Sequence, residues 1–139
     1  MLYCLGVTRA VPRCEVVFYR EADGSVPVLE WLAEIGRAST EALLKAHARL
    51  ALLREMGHEL RRPVSDAVGH GLRELRWRVG RVNYRILYFH YGSRVAVVAH
   101  GLTKEDALPR QDIERALVRK RLFEGDPQTH THVMEVPDA

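Results

Sequence analysis

The stretch from Leu72 to His100 restricts the fold more than any other part of this chain. In Leu72-Arg73-Glu74-Leu75-Arg76-Trp77-Arg78-Val79, the apolar residues Leu75, Trp77 and Val79 recur at a period of two, with Glu74, Arg76 and Arg78 between them. Such a segment is a half-buried strand, because successive side chains of a strand point to opposite faces. Val82 to Tyr91 (Val-Asn-Tyr-Arg-Ile-Leu-Tyr-Phe-His-Tyr) is β-branched and aromatic, Gly92-Ser93 forms a tight turn, and Arg94 to His100 returns as an apolar strand. Strands joined by turns this short must lie antiparallel, which predicts a three-strand meander.

The preceding residues read differently. Cys14 to Arg20 is a further strand, closed by the turn Asp23-Gly24. Ser25 and Pro27 open a helix with Leu29, Leu32 and Ile35 on one side, and Gly36 is expected to stop it. Ser39 or Thr40 caps a second helix, with Leu43, Leu50, Leu53 and Met56 apolar and Lys45, Arg49 and Arg54 on other faces. Gly57 ends it, and Arg61-Arg62-Pro63 lies in a loop. After Gly101-Leu102-Thr103-Lys104-Glu105-Asp106, Pro109 leads a third helix with Ile113, Ala116 and Leu117 as its stripe. From Gly125 the chain is acidic and reads as a frayed or partner-bound tail. The expectation is a small α+β domain: an antiparallel sheet, two N-terminal helices packed on one face, and a C-terminal helix.

At 139 residues, with 47% hydrophobic and 28% charged side chains, the chain is one globular domain with an ordinary core. No apolar window approaches 18 residues, and the first 13 residues lack a basic lead and a cleavage signature. A cytoplasmic protein is therefore expected, with no membrane partner. Cys4 and Cys14 are too few for a disulfide framework. No H-E-x-x-H or C-x-x-C spacing occurs, so no metal or other cofactor is expected. The absence of a Gly-rich phosphate loop and of G-x-S-x-G argues against nucleotide-dependent and serine-hydrolase chemistry.

Charge is unevenly spread. Residues 37–85 hold 11 basic and 5 acidic side chains, net +6, whereas residues 124–139 hold 4 acidic and none basic. A central cationic block attracts polyanions by counterion release, and 18 of the 21 basic residues are arginines, which suit bidentate contacts to phosphate. Arg76 and Arg78, about 7 Å apart from the ~3.3 Å rise per residue of a strand, could meet successive phosphate oxygens. Glu74 beside them could orient them or act as a base, or the three could be a solvated, ion-paired face. Arg85 stands at the same parity as Leu87 and Phe89 and must reach a cleft or be neutralised by Glu74. Tyr84, on the other parity, could stack on a base or belong to the core. His100 reads as a site-edge residue or a core histidine.

Gly71-Leu72-Arg73-Glu74-Leu75-Arg76, Tyr84-Arg85-Ile86-Leu87-Tyr88-Phe89 and His100-Gly101-Leu102-Thr103-Lys104 follow one another at suitable spacing, after Pro27-Val28 and Glu30-Trp31-Leu32. Together they closely resemble the RelE/ParE superfamily, nearest to the HigB-type, phage-related toxins of toxin–antitoxin systems. The resemblance runs from about Cys14 to Phe123. It implies a RelE-like domain over residues 14–124, with residues 1–13 as an N-terminal extension and 125–139 as an acidic, flexible tail. It further implies a metal-independent, ribosome-dependent mRNA endoribonuclease in which a 2′-hydroxyl attacks the adjacent phosphate. Arg76, Arg85, Lys104 and Glu74 match the catalytic positions, and Arg73, Arg78, Tyr84 and His100 are the accompanying RNA-binding candidates. The implied partners are a helix-turn-helix, HigA-like antitoxin and mRNA on the ribosome, in a homodimer or a toxin–antitoxin hetero-oligomer. Glu105 departs from the pattern, which has a second basic residue there. Two other readings stay open: a ParE-like gyrase inhibitor, and a catalytically weakened module that binds RNA or only its antitoxin.

Overall fold

A computed structural model describes residues 13–104 and 107–133. In chain order the elements are β1 (Glu15–Tyr19), α1 (Pro27–Ala38), α2 (Thr40–Met56), a single 3-10 turn (Gly57–Glu59), β2 (Ser65–Gly69), β3 (Leu72–Val79), β4 (Val82–Tyr91), β5 (Val95–Lys104), α3 (Arg110–Gly125) and β6 (Thr131–Val133). The fold is α+β, with three helices and one six-stranded sheet in the order β2-β3-β4-β5-β1-β6.

The meander β3-β4-β5 is antiparallel, as the short turns require. The sheet as a whole is mixed, which corrects the expectation of an antiparallel one. β1 lies parallel to β5, Glu15 opposite Val95 and Phe18 opposite Val98. Two helices separate β1 from the next strand, so no tight turn dictates its direction. All of Val16, Val17, Phe18 and Tyr19 are buried, the two-sided burial of an interior strand. Two strands escape the sequence pattern. β2 (Ser-Asp-Ala-Val-Gly) has weak strand propensity and is held by register against β3, with a bulge between Ala67 and Gly69. β6 has three residues and pairs antiparallel with β1, Phe18 opposite His132. The tail expected from Gly125 is thus anchored at Thr131–Val133, and residues 134–139 lie outside the described ones.

Alternate strand residues feed two apolar clusters. Val28, Leu32 and Ile35 of α1 and Ala46, Leu50 and Leu53 of α2 pack with Phe18, Leu75, Trp77, Ile86 and Val98. Ala116 and Phe123 of α3 pack with Tyr19, Leu72, Leu87, Phe89 and Val97 on the other face. The buried stripe of α2 is Ala42, Ala46, Leu50, Ala51 and Leu53, whereas Met56 is exposed. Helix α1 runs through Gly36 to Ala38, where a stop at Gly36 was expected. Gly36 serves the helix pairing instead, since a Cβ there would sit 2.8 Å from Leu43 Cδ2. The break comes at Ser39, whose extended backbone leaves α1 and whose hydroxyl accepts a hydrogen bond from Ala42 N at 3.1 Å. Among the described residues no helix is long and apolar enough to cross a membrane.

Two side-chain details give stability predictions. A Cβ on Gly101 would run into the Trp31 ring, and that ring also meets Trp77 and Tyr84 edge-on. Gly101→Ala should therefore cost about 2 kcal/mol in chemical denaturation by forcing the aromatic cluster apart; an unchanged midpoint would contradict this packing. His90 stacks on His58 with ring centroids 3.7 Å apart, and burial lowers its pKa from 6.5 to about 4. The unfolded imidazole takes up a proton near 6.5 and the folded one only near 4, so protons favour the unfolded chain in that interval. Stability should fall between pH 6.5 and 4, by roughly 2 kcal/mol after screening, and His90→Gln should flatten that slope.

Candidate functional site

The site grows from one register. β3 pairs with β4 so that Arg76 stands directly opposite Arg85 and Glu74 opposite Leu87. Arg76 N donates to Val64 O at 2.9 Å, away from β4, so Arg76 and Arg85 form a non-hydrogen-bonded pair, the kind in which opposed side chains approach closest. Two like charges in that position repel unless something stands between them. Glu74, on the same face, does so. Its Oε1 accepts from Arg85 Nη1 at 3.3 Å and its Oε2 lies 3.9 Å from Arg76 Nε. The Glu74 and Arg85 side chains are only 9% and 14% exposed, whereas that of Arg76 is 40% exposed. Asp66 on β2 extends the chain of charges, 3.7 Å from Arg76 Nη1 and 3.0 Å from Arg62 Nε. The Arg62 hydrogen bond, helped by the Ala67 amide, holds the Asp66 carboxyl below the usual range.

This network borders a cleft of about 480 Å³, into which Arg49, Arg62, Arg76, Arg78 and Arg85 all project. Trp77 and Tyr84 supply its apolar wall, and among the described residues no carboxylate lines it. Five guanidinium groups against the nearby Asp66 and Glu74 leave a cationic surplus suited to a polyanion with flat, bidentate oxygens. Arg78 is exposed and donates through Nε to Gly80 O at 2.8 Å.

The remaining candidates fall elsewhere. Arg73 points to the opposite face, where it donates to Ser65 Oγ at 3.2 Å, Tyr88 Oη at 3.4 Å and Leu60 O at 3.3 Å. It is not brought together with Arg76 and Arg85. Tyr84 is buried and stacks on Trp77, with centroids 5.7 Å apart and an interplanar angle of 9°, so its ring belongs to the core and borders the cleft from that side. The Cα of Lys104 stands opposite Asn83 at the end of β5; its side chain and Glu105 lie outside the described residues.

His100 is turned by a bulge. Leu87 pairs with His100 but Tyr88 pairs with Val98, so β5 carries one extra residue there. Its ring meets α3, with Nε2 2.6 Å from Asp112 Oδ1 and Nδ1 3.1 Å from Arg119 Nη1. A guanidinium only donates, so Nδ1 accepts and Nε2–H donates to Asp112, the neutral tautomer. Burial lowers the His100 pKa, against the opposing pull of Asp112. With both nitrogens engaged, His100 fastens α3 to the sheet. Cys14 is equally inert: burial pushes its thiol up to about 11, and Sγ donates to Leu53 O at 3.2 Å. No group of three or more His, Cys, Asp or Glu side chains able to hold an ion occurs among the described residues.

Sequence reasoning missed Arg49, Arg62 and Asp66. Arg49 carried no signal beyond being off the apolar stripe of its helix, Arg62 sat in Arg61-Arg62-Pro63, read as a loop, and Asp66 fell in a stretch given no element. Glu74→Gln and Arg85→Gln should each lower stability by about 2 kcal/mol, and the double variant should cost clearly less than their sum. Strict additivity in a double-mutant cycle would mean that the pair is not coupled.

No curated protein matches the chain. The family described as phage-derived protein Gp49-like (DUF891) matches residues 33–121, from the middle of α1 to the last turns of α3 and across the whole arginine cleft. The chain therefore belongs to the Gp49-like family of phage-derived proteins, a RelE/HigB-like toxin family associated with toxin–antitoxin systems.

Proposed function

We propose that this protein is the toxin of a toxin–antitoxin pair and that it acts as an endoribonuclease on mRNA, with residues 14–124 as the toxin domain. The observation that carries the reading is the opposed pair Arg76 and Arg85, tied by Glu74 and opening on a cleft lined by five arginines. Cleavage by an internal 2′-hydroxyl needs no external nucleophile. It needs charge stabilisation where negative charge develops on the phosphate, and donors fixed before the reaction give the largest benefit. In this scheme Arg85 and Arg76 hold the non-bridging oxygens of the scissile phosphate, and Glu74 orients both guanidiniums. As the carboxylate nearest to them, Glu74 is also the candidate to take the 2′-hydroxyl proton. Lys104, at the end of the neighbouring strand, is assigned to the leaving 5′-oxygen. The reaction is metal-independent in this reading.

A helix-turn-helix antitoxin with acidic side chains would neutralise the cleft, and the ribosome would present the message. A gyrase-poisoning toxin remains the outcome to test against. Induced expression in a bacterium, followed by primer extension on abundant messages, separates the two. Growth arrest with new discrete 5′ ends inside translated regions supports the nuclease; arrest with intact messages points to gyrase; no arrest points to a binding module. Arg85→Ala and Arg76→Ala should each reduce cleavage by at least about 100-fold, equivalent to ~3 kcal/mol of transition-state stabilisation, with far-UV circular dichroism unchanged. Full toxicity in a folded Arg85→Ala variant would overturn the assignment.

A further inference from the structure

The cleft continues past the face that carries Arg76 and Arg85. β2 pairs with β3 only as far as Leu75 and the Arg76 N–H still reaches Val64 O, so the backbone edge of β3 has no strand beside it from the Arg76 carbonyl onward. Helix α2 covers that edge from the other side. Arg49 Nε donates to Arg76 O at 2.9 Å and Lys45 Nζ donates to Arg78 O at 3.1 Å. An unpaired strand edge is ordinarily guarded by charge, and that is the plain reading of these two contacts. Arg49 does more than guard, because it also lines the cleft.

The five cleft arginines are not equivalent. Arg62, Arg76 and Arg85 each face a carboxylate. Arg49 and Arg78 face none among the described residues; each spends its Nε on a backbone carbonyl, which fixes the guanidinium at the rim. The charge surplus therefore sits at the β3 edge, beside the proposed scissile position. Below it lie Trp77 and Tyr84, 4% and 7% exposed, and the Trp77 indole nitrogen is buried with no hydrogen-bond partner. Fixed, uncompensated guanidiniums over an aromatic floor are the elements of a nucleotide subsite on single-stranded RNA.

We infer that the open edge of β3 is a second RNA subsite, in which Arg49 and Arg78 hold the phosphate next to the scissile one and the Trp77–Tyr84 pair underlies the intervening nucleoside. The inference rests on the nuclease reading and extends it to a residue on the opposite side of the strand. The bound strand crosses the edge of the sheet instead of lying along one face.

The test is equilibrium binding of a short, uncleavable 2′-O-methyl oligoribonucleotide, followed by fluorescence anisotropy over a range of salt concentrations. Each phosphate contact to a single strand contributes about 0.7 to the slope of log K against log salt. Arg49→Gln should flatten the slope by about that amount and weaken binding several-fold, whereas Arg49→Lys, which keeps the charge, should retain the slope. Arg76→Gln serves as the reference for the main site. Should Arg76→Gln flatten the slope and Arg49→Gln not, the second subsite is wrong and the nuclease reading survives. Equal weakening by Gln and Lys at position 49, with an unchanged slope, would show that Arg49 acts only through the Arg76 carbonyl and would also overturn the inference. Failure of the unaltered protein to bind the oligonucleotide at any salt concentration would overturn the subsite, whereas the nuclease reading stands or falls with primer extension on translated messages.

Discussion

Glu74 is the interaction on which the rest of this site depends. The pairing of β3 with β4 sets Arg76 against Arg85 at the closest spacing an antiparallel sheet offers, and without a carboxylate between them that register would be electrostatically unfavourable. Because Glu74 and Arg85 are largely withdrawn from water, their attraction is screened far less than that of a surface pair. The same contacts that make the register tolerable also immobilise two guanidiniums side by side. In the proposed reaction a fixed pair of donors is what a developing phosphorane charge requires, so under that proposal a structural need and a chemical one meet in the same three side chains.

The sheet makes the two sides of β3 unequal. On one side lie the arginines, with α3 fastened nearby through His100, Asp112 and Arg119. On the other lie Trp77, Tyr84 and Trp31, locked together against Gly101. Because β2 pairs only up to Leu75, with one further bond from Arg76 N to Val64 O, the last residues of β3 have no strand on that side, and the cleft forms at that step. Helix α2 supplies the missing backbone partners from Lys45 and Arg49, so the step is stable while remaining open to solvent. Membership of the Gp49-like family fits this economy, since the matched residues 33–121 contain both α2 and the strands that α2 completes.

Much of the site was legible in the primary structure. The alternation of Glu74, Arg76 and Arg78 with Leu75, Trp77 and Val79 placed three charges on one face, and parity placed Arg85 on the facing strand. What the pattern could not supply was contact between strands, because register depends on where the turns fall and on neighbours distant in sequence. Arg73 illustrates the limit: it is next to Glu74 in sequence, and for that reason on the other face, where Ser65, Tyr88 and Leu60 hold it. His100 illustrates another, since a single-residue bulge decides which layer its ring meets, and bulges leave no periodic trace.

By itself the sequence determined the local order: three strands in a meander, three helices of which the second opens at Ser39 or Thr40 and closes at Gly57, and a cationic centre dominated by arginine. These follow from short-range physics, the period of burial and the turn residues. Only the tertiary structure decided that β1 runs parallel to β5, that β2 and β6 form the sheet edges, and that Arg49 reaches the cleft from α2. Each of those is fixed by packing and backbone pairing between segments far apart in the chain. Energies of that kind belong to pairs of elements, and no single stretch of residues carries them alone.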